Sequence, residues 1–240
     1  MLQARSASRA ALSVMSSELR PVTQGGIVAA SSDSITVRVP YAFGVACFKI
    51  FGTTIISLLP GDSAIYRSAT ASGYAYRDEA TGEWTTRDGK TVGGFNMWPF
   101  CGLASPPVTT LSATGWVAQG YSVSEAPVAV TIGSLVYFYQ QITYAFAPSV
   151  TLPGRKALWR RVVSTGASDE MVLPFDTGSG FQFLVGSRLN VRATAPAILD
   201  SVLGVRVRLI GQSELTPEGK SAPSRFDMST NILFRNNAGN

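Results

Sequence analysis

Hydrophobic residues in this chain follow a helical period up to Pro21 and a period of two after it. Pro21 and the pair Gly25-Gly26 end the helical pattern of residues 4–19. The segment SITVRVP (residues 34–40) then alternates apolar and polar side chains, as a half-buried strand does. This switch predicts one helix followed by a long antiparallel run. The apolar face of the predicted helix consists of Ala4, Ala11, Leu12, Met15 and Leu19, with the small Ser8 among them.

Strand patterns follow one another from there to the end of the chain. We therefore predict an α+β fold, β-rich overall, with one N-terminal helix (residues 1–20) packed on a mostly antiparallel β-sheet. Residues 1–240 are predicted to form a single domain, with residues 60–125 as a possible inserted lobe. The predicted strands are residues 34–40, 42–51, 53–59, 115–123, 134–140, 142–147, 156–162, 181–187, 205–211 and 226–236, with successive hairpins in 73–94.

A stretch of 64 residues between Lys90 and Arg155 contains a single charged side chain, Glu125. Prolines and glycines interrupt it throughout, so it does not match the roughly 20 continuous apolar residues of a membrane-spanning helix. Two readings stay open for this stretch. It is either protein core or a surface that meets something other than water.

The absence of histidine narrows the chemistry open to this chain. It removes the Ser-His-Asp and Cys-His nucleophile systems and the usual zinc, copper and haem ligands. Cys47 and Cys101 cannot build a four-thiolate site, and they are either two buried thiols or one disulfide. We expect no catalytic residues, no cofactor and no metal, and hence a chain that is not an enzyme.

The positive charge is modest and scattered along the chain. The net charge is +5, and 16 of the 20 basic residues are arginine. This excess permits contact with anionic lipid or an acidic partner and is weak evidence for nucleic acid, so we expect neither nucleic acid nor a small-molecule substrate.

The densest basic segment is KALWRRV, residues 156–162. On a strand, Lys156 and Arg160 face one way, whereas Trp159 and Arg161 face the other. One reading is a solvated edge strand, because charges there block unwanted pairing. The other is a surface that binds acidic headgroups or a partner chain.

The order of these segments resembles a known family. RSASRAALSVMSSELRPV is followed by GGIVAASSDSITVRVPYAFGVAC, then by GRKALWRRV and PFDTGSGFQFLVG, and the chain ends in VLGVRVRLIGQSELTPEGKS and FDMSTNILFRN. This order is similar to the globular domain of minor type IV pilin-like proteins, the prepilin-type or J-like pseudopilins. The resemblance implies a non-catalytic structural subunit of a type II secretion or type IV pilus assembly at the cell envelope. It also implies a periplasmic, membrane-associated location, where Cys47 and Cys101 would form a disulfide.

The chain departs from that family at its start. The family begins with a leader and an apolar anchor, and here Met1 stands where the periplasmic half of the anchor helix would begin. The anchor therefore lies upstream or has been lost. The alternative function is an accessory periplasmic subunit, recruited into another large membrane-bound complex (secretory, respiratory or photosynthetic), where it stabilises the assembly.

Partner contacts are predicted at three places in the chain. Val14 lies off the apolar stripe of the helix and Leu2 is predicted to lie beyond its ordered turns, so both are expected to touch a partner chain or lipid. In the uncharged stretch, aromatic and sulfur-bearing side chains either plug the sheet from above or face a lipid or protein surface. The predicted interface residues are Leu2, Val14, Met97, Trp98, Phe100, Lys156, Trp159, Arg160 and Arg161.

Overall fold

A computed structural model describes residues 2–23, 25–50, 53–58, 60–88, 92–95, 120–124 and 130–234. These residues form two compact units. Unit 1 comprises residues 1–39 and 141–240, and unit 2 comprises residues 40–140. The elements are α1 (Leu2–Leu19), β1 (Ile27–Ala30), β2 (Ser34–Ile50), β3 (Thr53–Leu58), α2 (Pro60–Ser68), β4 (Gly73–Arg77), β5 (Trp84–Asp88), β6 (Val92–Phe95), β7 (Gly120–Ser124), β8 (Leu135–Pro148), β9 (Lys156–Val162), β10 (Ser168–Phe175), β11 (Gly180–Val185), β12 (Asn190–Arg192), β13 (Val202–Gln212) and β14 (Arg225–Leu233).

Unit 1 is an antiparallel sheet in which β9 lies between β8 and β10. β13 pairs with β11 along one edge and with β14 along the other, and it meets β10 where Phe175 lies opposite Gly211. β12 pairs with the outer edge of β11, and β1 pairs with the first part of β2. Alternation along β13 and β14 directs one face of this sheet to the core and the other to solvent.

Helix α1 covers the core face of unit 1. Ala7, Ala11, Met15 and Leu19 recur every four residues, and all four are buried. The helix contacts β10, β13 and β14. Its apolar stripe packs into a core of aliphatic and phenylalanine side chains from the strands. These include Ile35, Val37, Ile142, Phe146, Leu158, Phe175, Phe181, Phe183, Val205, Val207, Leu209 and Ile232.

Unit 2 contains two antiparallel ladders. One joins the second part of β2 to β3, β7 and β6, and in the other β4 lies between β5 and β8. At Gly73 the backbones approach so closely that a Cβ would lie 2.1 Å from the carbonyl oxygen of Arg87. The largest fully buried side chains of unit 2 are aromatic, with Tyr74, Tyr76 and Phe138 in one cluster and Tyr137 and Tyr139 in another.

The predicted α+β class is wrong, because the described chain is mostly antiparallel β-sheet. Its two α-helices have 18 and 9 residues, whereas the fourteen strands hold most of the other described residues. The prediction treated the single helix with its clear apolar stripe as a separate helical layer that covers the sheet, which is why it gave the α+β class. In the structure that helix covers only the core of unit 1, and the long strands set the fold class.

Helix α2 was not predicted from the sequence. Proline at its first position, Asp62 in its first turn and Arg67 in its last turn are the signals that favour it. Asp62 also accepts a hydrogen bond from the backbone N–H of Phe43, at 3.0 Å. The helix lies inside the segment 60–125 that the sequence marked as a possible lobe, and unit 2 extends beyond that segment on both sides.

Two pairs of predicted strands are in fact single long strands. Pro40 was expected to end a strand, but β2 runs through it without a break, from Ser34 to Ile50, and is 17 residues long. The pair Gln140-Gln141 separates two apolar runs, but β8 continues through it because the backbone stays paired, with the carbonyl of Gln141 accepting a bond from the N–H of Val163. The first of the hairpins predicted in residues 73–94 is confirmed by the pairing of β4 with β5 and by the bond from the N–H of Asp78 to the carbonyl of Glu83.

Candidate interaction surfaces

A polar cluster joins the C-terminal end of α1 to the sheet of unit 1. The Arg160 guanidinium donates to both Glu18 carboxylate oxygens, with distances of 3.0 to 3.2 Å. The Tyr144 hydroxyl donates to Glu18 Oε2 at 2.5 Å. Glu18 lies on α1, Arg160 on β9 and Tyr144 on β8, so this cluster fixes the helix on two neighbouring strands.

Burial and charge act together on this cluster. Desolvation raises the pKa of Tyr144, and the neighbouring Glu18 carboxylate raises it further. Desolvation tends to lower the pKa of Arg160, but hydrogen bonds and attraction to Glu18 outweigh it and hold that pKa above its ordinary value. The cluster therefore keeps Tyr144 neutral and Arg160 charged, which suits a structural anchor.

The solvent face of β13 and β14 carries cross-strand polar pairs. Arg208 donates to Asp227 at 2.7 Å, and Arg206 donates to Asn231 at 2.9 Å. At the start of β14, Arg225 pairs with Asp176 at 2.6 Å, and the Asp176 carboxylate also accepts a bond from Gln212. In all three pairs a β14 side chain is bonded to a side chain of β13 or of the loop that follows β10.

β14 is an edge strand in the described part of the chain, where it pairs with β13 and with no other strand. It runs for nine residues without a proline or glycine. Its core-facing side chains are half-buried or buried, and Leu233 near its end is 45% exposed. Such an edge presents a row of backbone donors and acceptors that another strand can pair with.

The basic segment KALWRRV forms β9, and its edge-strand interpretation is wrong because β9 pairs on both sides. Lys156 forms an ion pair with Asp33 at 2.9 Å, and Arg160 belongs to the Glu18 cluster. Trp159 is half-buried and donates from Nε1 to the carbonyl of Pro148 at 3.2 Å. Of the basic residues in this segment, Arg161 is the one with an exposed side chain.

The other predicted interface residues fall in different places. Val14 packs against the core of unit 1, so its predicted position off the buried stripe is wrong. Leu2 begins α1, and its side chain lies outside the described residues, as do Met97, Trp98 and Phe100. A contact between any of these residues and a partner stays a prediction.

The predicted disulfide also stays a prediction. Cys47 lies on β2 of unit 2 and is buried, and its Sγ lies 3.4 Å from the carbonyl oxygen of Ile55. Cys101 lies outside the described residues.

Within the described ranges, no group of three acidic or cysteine side chains is placed to hold a metal ion. None of the helices in that same part of the chain is both long and apolar enough to cross a membrane. No family model, no curated protein and no solved structure matches this chain. The surfaces of the chain itself therefore carry the functional argument.

Sequence reasoning missed the Glu18 cluster and the β14 edge for the same reason. Glu18 and Arg160 are separated by 142 positions, so only the fold brings them together. For β14, the alternation of RFDMSTNIL predicted the strand, but nothing local indicates whether a strand lies inside a sheet or at its edge.

Proposed function

We propose that this chain is a non-catalytic structural subunit of a larger assembly and that copies of it associate through the edge of β14. The observation that carries the proposal is the nine-residue edge strand whose two charged side chains, Arg225 and Asp227, form ion pairs within their own unit. Proteins that stay monomeric commonly shield an edge with charge, proline or a bulge. On β14 the charges of Arg225 and Asp227 are directed towards Asp176 and Arg208 instead.

The sequence of β14 is compatible with pairing to a second copy of itself. In an antiparallel pair centred on Ser229, Asp227 would lie opposite Asn231, and Phe226 opposite Ile232. No like charges face each other in that register, whereas like charges directly opposite destabilise a strand pair. Strand addition between two identical chains would thus join their unit 1 sheets into a closed two-fold dimer.

The partly buried carboxylates of unit 1 support a structural role. Glu18 fixes α1, Asp176 holds the end of β13 near β14, and Glu170 on β10 binds the loop at Ser149 and Thr151. Desolvation would raise the pKa of Glu170, but the bonds from Ser149 and Thr151 outweigh it and hold that pKa below its ordinary value. These groups connect elements of the fold, which is the use a structural subunit makes of them.

The pilin-like role needs a separate test, because the α+β fold on which the resemblance relied is wrong. A place in an envelope assembly and a periplasmic location remain hypotheses from the sequence. The alternative is an accessory subunit of another large membrane-bound complex. In that case the β14 edge would accept a strand from a different protein.

Sedimentation velocity of the purified chain tests self-association through β14. Ser229 is exposed near the centre of the strand, and Ser229→Lys adds a charge at the edge that disfavours pairing. Ser187→Lys adds the same charge at an exposed turn after β11 and serves as the matched control. We expect a dimer for the unaltered chain and for Ser187→Lys, and a monomer for Ser229→Lys.

Two outcomes contradict the proposal. An unaltered chain that stays monomeric over the accessible concentration range excludes self-assembly and favours the accessory-subunit alternative. Oligomers that persist in Ser229→Lys place the contact somewhere other than β14. Equal melting temperatures for Ser229→Lys and Ser187→Lys show that a loss of association in Ser229→Lys does not result from unfolding.

A further inference from the structure

The solvent face of α1 carries arginine and serine and no carboxylate. Arg5 and Arg9 are exposed, and so is Arg20, which directly follows the helix. With a rise of about 1.5 Å per residue, Arg5 and Arg9 stand about one turn apart and Arg20 about three turns further on. The exposed side chains between them are Ser6, Ala10, Ser13 and Ser17.

The acidic residue of this helix does not offset these arginines. Glu18 is the only carboxylate between residues 2 and 20, and it is bound by Arg160 and Tyr144 on the sheet side. Its charge is therefore balanced by Arg160. Arg5 rests over the ring of Phe226, 5.2 Å from the ring centroid, with its charge at an exposed position. The cationic face, defined as Arg5, Arg9 and Arg20, thus keeps its positive charge.

Against the expectation from the sequence, we propose that the cationic face binds the phosphate backbone of a nucleic acid. Arginine presents a planar fork of donors that matches phosphate oxygens, and serine hydroxyls also bond to phosphate. Among the exposed residues of this face no aromatic side chain is available to stack on a base. The binding should therefore depend on the phosphate charge and not on the nucleotide sequence. The fold thus gathers charge that looks scattered along the sequence onto one helix face.

A lipid surface fits this face less well than a nucleic acid does. Helices that lie in a membrane interface bury an apolar face among the acyl chains. The apolar side chains of α1, including Met15 and Leu19, are buried against the sheet of unit 1. The face left for a partner holds short polar side chains and arginines, which suit a hydrated polyanion.

Fluorescence anisotropy with a labelled single-stranded RNA tests the proposal across a salt series. Each phosphate contact contributes about 0.7 to the slope of log K against log salt for a single strand, so three arginines contribute about 2. We expect the variant Arg5→Gln/Arg9→Gln/Arg20→Gln to lose about that much slope. The matched control is Arg161→Gln/Arg188→Gln/Arg192→Gln, which removes three exposed arginines of unit 1 outside the helix and should retain the slope.

Three results would overturn the proposal: no RNA binding by the unaltered chain, equal losses in the two triple variants, or tighter binding to phosphatidylserine vesicles than to RNA. Equal losses would mean that net charge alone drives the binding. Arg9→Glu alone guards against a folding defect in the triple variant and should weaken binding while the melting temperature is unchanged. Ser229→Lys and Ser187→Lys carry the same added charge and keep all three arginines of the cationic face, so equal RNA binding by these two variants shows that the assay does not depend on strand pairing at β14.

Discussion

The two units of this chain build their cores from different side chains. In the described residues, the buried cluster of unit 1 is aliphatic and phenylalanine-rich, and Tyr144 is its one tyrosine. The clusters of unit 2 contain four buried tyrosines, Tyr74, Tyr76, Tyr137 and Tyr139. A helix closes the core of unit 1. In unit 2 contacts between aromatic rings link the elements. For example, the ring centroids of Tyr66 on α2 and Phe138 on β8 lie 4.8 Å apart.

This difference shows how each unit handles its buried polar atoms. A buried tyrosine must find a partner for its hydroxyl or lose stability. In unit 2 the Tyr139 hydroxyl donates to the carboxylate of Asp88 at 2.7 Å, and Asp88 lies on the neighbouring hairpin. In unit 1 the hydroxyl of Tyr144 donates to Glu18 and so contributes to holding the helix. In unit 1 the tyrosine hydroxyl thus bonds to the covering helix, whereas in unit 2 that of Tyr139 joins two strands.

The largest effect is expected from Met15→Asp in α1. Met15 is fully buried under the sheet of unit 1, and an aspartate there would place an unpaired charge in an apolar core. We expect a loss of about 5 kcal/mol in the free energy of unfolding, measured by denaturant titration. Ser13→Asp places the same group on the exposed face of the helix and should change stability by less than about 0.5 kcal/mol. Similar losses for both variants would show that α1 does not cover the core.

A smaller effect is expected from Phe138→Ala in unit 2. Phe138 is fully buried and packs against Tyr66, so its removal leaves a cavity among the rings. The expected loss is about 3 to 4 kcal/mol. Ile65→Ala, at a half-exposed position on α2, is the control and should cost less than about 1 kcal/mol. A loss for Phe138→Ala as small as that of the control would contradict the dependence of unit 2 on its aromatic core.

The sequence predicted the parts of this fold that depend on local pattern. The apolar spacing of α1 and the alternation of β9 and β14 are properties of neighbouring residues. The fold class failed because it depends on how much of the chain joins the sheets, and β1, β10 and β12 carry weak strand patterns. β10 in particular begins Ser168-Asp169-Glu170, which is typical of a loop, and pairing with β9 makes it a strand.

The candidate surfaces were predictable only in part. The basic composition of KALWRRV indicated a binding surface, but Asp33 and Glu18 lie far away in the sequence and pair with two of its charges. The arginines of α1 were visible in the sequence as isolated charges. Their grouping on a face free of carboxylate depends on the contact between Glu18 and Arg160, which no local pattern shows.

The smallest effect compares the two units at alkaline pH. Burial raises the pKa of Tyr144 in unit 1 and that of Tyr74 in unit 2, but Glu18 adds to the shift at Tyr144, whereas Arg87 opposes it at Tyr74. Because the folded chain holds the Tyr144 proton more strongly than the unfolded chain does, this contribution to stability is complete below the ordinary pKa of 10.0 and declines as the pH rises above it. Near pH 11 the decline should reach about 1 kcal/mol.

Melting temperatures between about pH 8 and pH 11 should therefore fall less steeply above pH 10 in Tyr144→Phe than in the unaltered chain, and Tyr74→Phe should show a smaller change of slope. Glu18→Gln should lie between the unaltered chain and Tyr144→Phe, because it removes the carboxylate charge but leaves the burial. If Tyr74→Phe flattens the alkaline limb more than Tyr144→Phe does, the electrostatic contrast between the two units is wrong.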